Sequence, residues 1–229
     1  MPVEVDGESN QANALCYGIT FAKNSSSTVV PQVCNQQGTS NVQAHLGNAL
    51  DATSFTSLSI ISGAPLAEST CSIACSDDQN TTNIAYLDTG FDVHRVTHDN
   101  SVAWTPVSNW TDQEVSPTPD SFGVSMVMLK NVEYIIARNS GTSSILLWTN
   151  AGGGWTNLTI DDPTDVLQMP KAKWSIYNNH KSPFYIDYMF YNNTDAALEW
   201  HQYEIPQLIM SDGTPNHIQH FPANEIVSV

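Results

Sequence analysis

Short runs of strand-forming residues recur along this chain at intervals of about fifty residues. Val, Ile, Thr, Tyr and Trp dominate these runs, and Asn, Gly, Ser, Asp and Pro separate them. The corresponding first-strand positions are Tyr17, Ser72, Ser125 and Ser175, with spacings of 55, 53 and 50 residues. Helical periodicity is almost absent, and the single ambiguous segment, VQAHLGNALDA at 42–52, fits a helix or a strand. The chain is therefore predicted to be all-β.

Each interval holds four predicted strands, which is typical of a propeller blade. We predict one domain over residues 1–229, a small β-propeller of four blades with four antiparallel strands each. The predicted blades cover roughly 12–62, 65–112, 120–162 and 170–229. Closing the ring would remove the exposed sheet edges of an open array. Two alternatives stay open: a β-sandwich with coincidental spacing, and part of a larger propeller that oligomerisation completes.

The charge balance excludes some partners. Lys and Arg number 7 against 23 Asp and Glu, which gives a net charge of −16. Nucleic acids and anionic membranes attract clustered basic residues, so neither is an expected partner. No apolar stretch reaches the length of a spanning helix, so we expect no membrane insertion. The acidity itself is most simply explained by solubility.

The opening residues MPVEVDGESNQ lack the basic end and apolar run of a signal peptide. This leaves an intracellular protein, or a mature secreted protein whose signal is missing from this sequence. Five N-glycosylation sequons favour secretion or the lumen of the secretory pathway. They are at Asn24, Asn80, Asn109, Asn157 and Asn192.

The four cysteines allow three disulfide connectivities. Cys71 and Cys75 would lie about 13 Å apart on one extended strand, so they can pair only if a turn separates them. A Cys16–Cys34 bridge across a hairpin is one open possibility. The spacing does not match a zinc site, and we predict no metal. No phosphate-binding loop, dinucleotide fingerprint or nucleophile elbow is present, so we also predict no cofactor.

The repeat resembles the blade of fungal fucose-binding propeller lectins. Second-strand matches are NIAYLD (83–88), VEYIIAR (132–138) and YIDYMFY (185–191). Third-strand matches are VHRVTH (93–98), ILLW (145–148) and LEWHQY (198–203), and fourth-strand matches are VAWTPV (102–107) and GGGWTNLTI (152–160). The resemblance implies a propeller with a sugar site in each blade.

The sugar site is where the chain departs from that family, in which a second-strand Arg and a third-strand Glu hold each fucose. Arg supplies forked donors, Glu accepts from hydroxyls, and an aromatic ring covers the C–H patch. The Arg position holds Ala85, Glu133 and Asp187 in the three matched units, and the Glu position holds Arg95, Leu147 and Glu199. No unit keeps the pair, so binding of fucose in the family's manner is not expected.

Ligand-binding candidates come from three kinds of residue. Apolar and aromatic first-strand residues should line a central channel or fill the core between blades, arginines could donate to a ligand oxygen, and the aromatic fourth unit offers acceptors and stacking faces. The candidates are Tyr17, Arg95, Met126, Met128, Arg138, Trp174, Tyr177, Asp187, Tyr188, Glu199 and Trp200. No catalytic residue can be assigned.

Two functions from different classes fit these features. The first is a secreted lectin-like propeller that binds a glycan or a small, partly apolar molecule in a central or inter-blade pocket. The second is a cofactor-free enzyme, because the sequons, the absence of cofactor motifs and the aromatic residues also resemble secreted fungal hetero-Diels–Alderases of tropolone–sesquiterpenoid pathways. A pocket that orients two reactants can lower a barrier by proximity alone. Several similar sites would favour the lectin, and one deep asymmetric cavity would favour the enzyme.

Overall fold

A computed structural model describes residues 14–37, 41–62, 71–115, 121–129, 131–139, 142, 144–161, 184–192, 197–205 and 218–219. These residues form four antiparallel sheets. Sheet one contains β1 (Ala14–Lys23), β2 (Val29–Gln37), β3 (Asn41–Gly47) and β4 (Phe55–Ser62). Sheet two contains β5 (Cys71–Cys75), β6 (Thr81–Leu87), β7 (Val93–Asp99) and β8 (Trp110–Glu114). Sheet three contains β9 (Ser121–Leu129), β10 (Val132–Asn139), β11 (Ile145–Thr149) and β12 (Thr156–Asp161). Sheet four contains β13 (Phe184–Asn192), β14 (Ala197–Ile205) and β15 (Ile218–Gln219).

Each pair of successive sheets encloses its own hydrophobic cluster. Sheets one and two share a cluster that includes Val42 and Ile84, and sheets two and three share one that includes Leu87 and Ile135. A third cluster joins sheets three and four. The second strands β6 and β10 are buried along almost their whole length, since they are covered on both faces. Four separate sheets stacked in sequence order exclude a β-sandwich and agree with a small β-propeller.

Two glycines permit close backbone packing in sheet one. A Cβ atom at Gly18 would lie 3.0 Å from Ile73 Cγ2 and 3.1 Å from Cys34 Sγ, so its absence lets β1 approach β5. A Cβ atom at Gly47 would lie 2.7 Å from Pro31 Cγ and 2.8 Å from Ala52 Cβ. Side chains at these positions would push against neighbours that have little freedom to move.

The prediction of an all-β, small propeller-type fold is confirmed, and the ambiguous 42–52 segment contributes strand β3. The predicted fourth strand at 102–107 is wrong. That segment is a loop that leads into a short 3₁₀ helix, Val107–Asn109, and the fourth strand begins only at Trp110. Pro106 lacks an N–H group for a sheet ladder, and side chains bind the loop carbonyls instead, such as Ala103 O. No helix in the described part of the chain is long and apolar enough to cross a membrane.

Candidate functional site

Polar side chains meet where sheet two faces sheet three. Strand alternation points Ala85 and Leu87 of β6 toward sheet three, and Asn83 lies on the same face of that strand. Arg95 of β7 is the cross-strand partner of Ala85 and shares that face. Glu133 lies two residues before Ile135 on the opposing face of β10, directly across from Met128 of β9. We call Asn83, Arg95, Met128 and Glu133 the two–three cleft.

An ion pair crosses this cleft. Arg95 Nε donates to Glu133 Oε1 at 3.1 Å, and the terminal Nη2 of Arg95 donates to the same oxygen. Glu133 is only 3% exposed, whereas the Arg95 side chain is 16% exposed and reaches solvent. The second carboxylate oxygen, Glu133 Oε2, is buried and has no hydrogen-bond partner among the described residues. A buried acceptor left in this state costs free energy until a donor reaches it.

Asn83 supplies a second acceptor in the cleft. Its Nδ2 donates to the sulfur of Met128 at 2.9 Å, and this contact places the amide nitrogen, not the oxygen, against the sulfur. The amide oxygen, Asn83 Oδ1, is buried without a hydrogen-bond partner in the described part of the structure. The cleft therefore offers two buried acceptors beside a guanidinium group that carries several donors.

Backbone hydrogen bonds hold the walls of the cleft in place. The N–H of Met126 donates across the sheets to Ser72 Oγ at 2.9 Å, which fixes β9 against β5. The N–H of Glu133 donates to Asn150 Oδ1 at 3.0 Å, which fixes the start of β10. Trp148 packs in the adjoining apolar cluster, and the half-buried Trp155 packs against its edge. The two tryptophan rings thus belong to, or pack against, the apolar cluster, and this cluster adjoins the polar cleft.

Two of the predicted ligand-binding residues, Arg95 and Met128, are brought together in the cleft. Met126 is 4% exposed and belongs to the core between sheets two and three, so of the two roles left open for it, lining a channel or filling the core, it has the second. Arg138 pairs with Ile145, whose side chain faces sheet four, so sheet three separates Arg138 from Arg95. Burial lowers the pKa of Arg138 below its ordinary value. Tyr188 is buried in the core between sheets three and four and is not a free ligand-binding surface.

The other predicted ligand-binding residues are only partly described or not described. Four lie in strands whose backbone is described while their side chains are not: Tyr17, Asp187, Glu199 and Trp200. Trp174 and Tyr177 lie outside the described residues.

Sequence reasoning missed Glu133 and Asn83 as members of a site. The signal was available in part, because VEYIIAR places one carboxylate in a strand that is otherwise apolar and buried on both faces. Such a group needs a partner. Its partner was not evident, because Arg95 lies 38 positions away on a different sheet.

A Cys16–Cys34 hairpin bridge is not what the structure shows. Gly18, not Cys16, lies opposite Cys34 in the β1–β2 ladder. The Cys34 sulfur lies instead 2.9 Å from the sulfur of Cys71 on sheet two. Neither Cys34 nor Cys75 forms a disulfide bond in this structure. Cys71 and Cys75 occupy the two ends of one strand, which excludes a bond between them.

The sequon asparagines differ in what their side chains bind. Asn109 Nδ2 donates to the carbonyl oxygens of Ala103 and Thr105 at 2.8 and 3.3 Å, which uses both amide hydrogens. Asn157 is exposed on β12, the last strand of sheet three, and its side chain has no hydrogen bond to any described residue. The remaining sequons either lie in turns with local side-chain hydrogen bonds or have undescribed side chains: Asn24, Asn80 and Asn192.

A titratable cluster lies on the opposite side of sheet two from the cleft. The His94 ring stacks on Tyr86 with ring centroids 5.1 Å apart, and its nitrogens lie 3.4 Å from Asp112 and 3.6 Å from Asp88. Burial alone would lower the pKa of His94. The hydrogen bond to Asp112 and the charges of Asp112, Asp88 and Glu114 outweigh burial and raise the pKa of His94. Burial, reinforced by Asp112, raises the pKa of Tyr86.

No family model and no curated protein matches this chain. Solved structures do match. AofleA from Arthrobotrys oligospora, solved as a mutant, is 17% identical, with a TM-score of 0.60 over 85% of this chain and 56% of its own. The SapL1 lectin in complex with α-methyl fucoside is 14% identical, with a TM-score of 0.58 over 84% of this chain and 60% of its own. The α-L-arabinofuranosidase PaAbf62A from Podospora anserina, in complex with cellotriose, is 9% identical, with a TM-score of 0.55 over 89% of this chain and 68% of its own.

The chain spans less than two thirds of the length of the first two of these proteins. At these identities the likeness concerns the fold, and the presence of a lectin and a glycosidase in one set shows that this fold supports more than one activity. The repeats, the stacked sheets and the structural match lead to one conclusion: this chain has a fucose-lectin-like β-propeller fold.

Proposed function

We propose that this protein is a secreted, lectin-like propeller that binds a glycan at the two–three cleft. The observation that carries the proposal is the buried Glu133 carboxylate, which has one oxygen bound to Arg95 and one oxygen to which no described residue donates. A sugar hydroxyl group can supply the hydrogen-bond donor that this oxygen lacks. The fold of the lectin neighbours, one of which binds α-methyl fucoside, supports a sugar as the class of ligand.

The proposed mechanism uses the side chains already present. A sugar hydroxyl donates to Glu133 Oε2, a second hydroxyl donates to Asn83 Oδ1, and the guanidinium of Arg95 donates to ring or hydroxyl oxygens. Arg95 is the residue that reaches solvent, so its rotation opens the cleft to the ligand. Trp155 is half-buried and packs against the adjoining apolar cluster, and we assign its ring to cover an apolar C–H patch of the sugar.

This arrangement reverses the charges of the fucose lectins at matched positions. There the second strand carries Arg and the third strand carries Glu, whereas here Glu133 is on a second strand and Arg95 is on a third strand of the preceding sheet. The same two chemical groups are therefore available, contributed by adjacent sheets. The reversal means that the ligand and its orientation differ from those of the lectins, so we propose a glycan as the class and not fucose itself. The sequons support a secretory location for this function.

A glycan array followed by isothermal titration calorimetry tests the proposal. Several similar sites would be typical of a lectin, but the described residues hold an Arg–Glu pair at one boundary between sheets, so we expect one ligand per chain. We expect Glu133→Gln to weaken binding about 10- to 100-fold, the loss of one charge-assisted hydrogen bond. The matched control is Glu114→Gln, which makes the same change of charge at an exposed position opposite His94, away from the cleft. An array without binding refutes the lectin function. Glycan binding that Glu133→Gln leaves unchanged retains a lectin but removes the two–three cleft as its site.

A further inference from the structure

Two buried cysteines face each other across the boundary between sheets one and two. Cys34 lies in β2 and Cys71 begins β5, and both belong to the cluster that joins these sheets. Their sulfur atoms are 2.9 Å apart, and the residues are 0% and 3% exposed. A disulfide bond has a sulfur separation of about 2.05 Å, so the two atoms need to close by less than about 1 Å. The residues are 37 positions apart in sequence, so their approach results from the packing of the sheets.

The backbone around this pair is arranged for a close approach. Gly18 lies opposite Cys34 in the β1–β2 ladder. A side chain there would place a Cβ atom 3.1 Å from the Cys34 sulfur and 3.1 Å from the backbone nitrogen of Ile73. The glycine therefore leaves room for β5 to lie against Cys34, and the apolar residues around both sulfurs keep water away from them.

Cys75 is in a different environment, although it lies on the same strand as Cys71. Its thiol donates to the carbonyl oxygen of Phe21 at 3.1 Å and accepts from the hydroxyl of Thr20 at 3.4 Å. Burial raises the pKa of Cys75, which lowers the fraction of reactive thiolate. No described sulfur lies against it, so Cys75 serves as an internal control for the chemistry of its neighbour.

We propose that Cys34 and Cys71 form a disulfide bond that joins sheet one to sheet two when the chain folds in an oxidising compartment. The oxidant is a small disulfide of the glutathione type. One cysteine thiolate attacks it, forms a mixed disulfide and releases one thiolate, and the second cysteine thiolate then displaces the other. The protein dithiol loses two electrons and two protons, and the small disulfide gains them as two thiols. Because both sulfurs are buried in the folded chain, the attack on the small disulfide takes place before sheets one and two have packed together. The packing of the sheets then brings the second thiolate to the mixed disulfide. The proposal does not depend on glycan binding.

Peptide mapping of protein refolded in a glutathione redox buffer tests this pairing. Trypsin cuts after Lys23, and an aspartate-specific protease cuts before Asp51 and Asp77. Cys16, Cys34 and the Cys71–Cys75 segment then fall on three separate peptides. After acid quenching, alkylation and digestion without reductant, we expect the Cys34 peptide to be joined to the Cys71 segment. In Cys75→Ser the same linkage remains. Alkylation of both Cys34 and Cys71, or a bond from Cys34 to Cys16, overturns the proposal.

Thermal unfolding gives a second measurement that does not depend on the map. We expect dithiothreitol to lower the unfolding midpoint of the refolded wild-type chain and of Cys75→Ser, because both lose the link between sheets one and two. Cys71→Ser should show no such shift. A wild-type midpoint that dithiothreitol leaves unchanged contradicts the proposal, even if Cys71→Ser does not fold.

Discussion

The Arg95–Glu133 ion pair leads to a prediction about the stability of three variants. The order of their stabilities matters more than the size of each loss. Arg95→Met removes the charge but keeps most of the aliphatic stem, so the packing of the side chain changes little. It leaves the Glu133 carboxylate, 3% exposed, without its cation. Removing one partner of a buried ion pair costs about 3–5 kcal/mol. Water reaches the 16% of the Arg95 side chain that is exposed, so we expect the lower end of that range, about 3 kcal/mol.

Replacing the other partner of the ion pair, Glu133, should lower the free energy of unfolding much less. Glu133→Gln keeps the shape of the side chain and removes the buried charge, and the Arg95 guanidinium can turn toward solvent. We expect a loss of about 1 kcal/mol, the size of one hydrogen bond. In the double variant, no buried charge remains. The double variant should therefore be more stable than Arg95→Met alone, although it carries one more substitution.

Urea unfolding followed by tryptophan fluorescence measures all four forms. With a slope of about 3 kcal/mol per molar urea, the expected midpoint loss is about 1 M for Arg95→Met and clearly less for the other two variants. A double variant that is as unstable as Arg95→Met, or less stable, would show that packing and not charge burial sets the cost. The result would then argue against a buried, incompletely hydrogen-bonded carboxylate in the cleft.

Three further predictions follow from the described side chains. Folding raises the pKa of His94, so its contribution to stability is fully present below the unfolded pKa of about 6.5. That contribution is lost as the pH rises through the folded pKa. His94→Gln should therefore flatten the profile of unfolding free energy against pH above about 6.5. Gly47→Ala should destabilise the fold by about 1–3 kcal/mol, because a proline ring and a methyl group already crowd the position, whereas Gly154→Ala, with no atom within 4 Å, should be nearly neutral in the same melts. In protein secreted from a eukaryotic host, glycopeptide analysis should find Asn157 occupied more fully than Asn109, whose amide hydrogens are both engaged; the opposite order would contradict this reasoning.

The strands could be predicted from the sequence because their signal is local. Alternating β-branched and aromatic residues with turn residues between them give the positions of β6, β10 and β13 directly. The loop at 102–109 was mistaken for a strand because its apolar residues, including Trp104, satisfy the same pattern. Trp104 is buried in the cluster between sheets one and two, and its carbonyl oxygen accepts a hydrogen bond from the indole N–H of Trp110. Local alternation encodes neither of these contacts.

The site could not be predicted in the same way because it depends on distances between sheets. The sequence marks Arg95 as a possible hydrogen-bond donor. Its partner, Glu133, depends on the angle and register at which sheets two and three pack, which the sequence does not give. The Cys34–Cys71 contact has the same origin. Spacing along the chain can limit a pair, since Cys71 and Cys75 could pair only across a turn and the structure places them on one strand, but spacing cannot identify a pair that two packed sheets bring together.

The repeat also explains why only one boundary between sheets carries a charged pair in the described residues. Every sheet must cover the apolar face of the next, so positions such as Ile84 and Ile135 stay apolar. Polar positions at the strand ends carry no such requirement. Glu133 is the second residue of its strand, and the second residue of β6 is Thr82, whose hydroxyl binds Gln32 at 2.5 Å between sheets one and two without any charge. Arg95 is the third residue of β7, and the third residue of β11 is Leu147, which is buried against sheet four. Among the described side chains, a ligand that requires both a carboxylate and a guanidinium therefore finds them together at one boundary, and this is the physical basis for expecting one ligand per chain rather than one per blade.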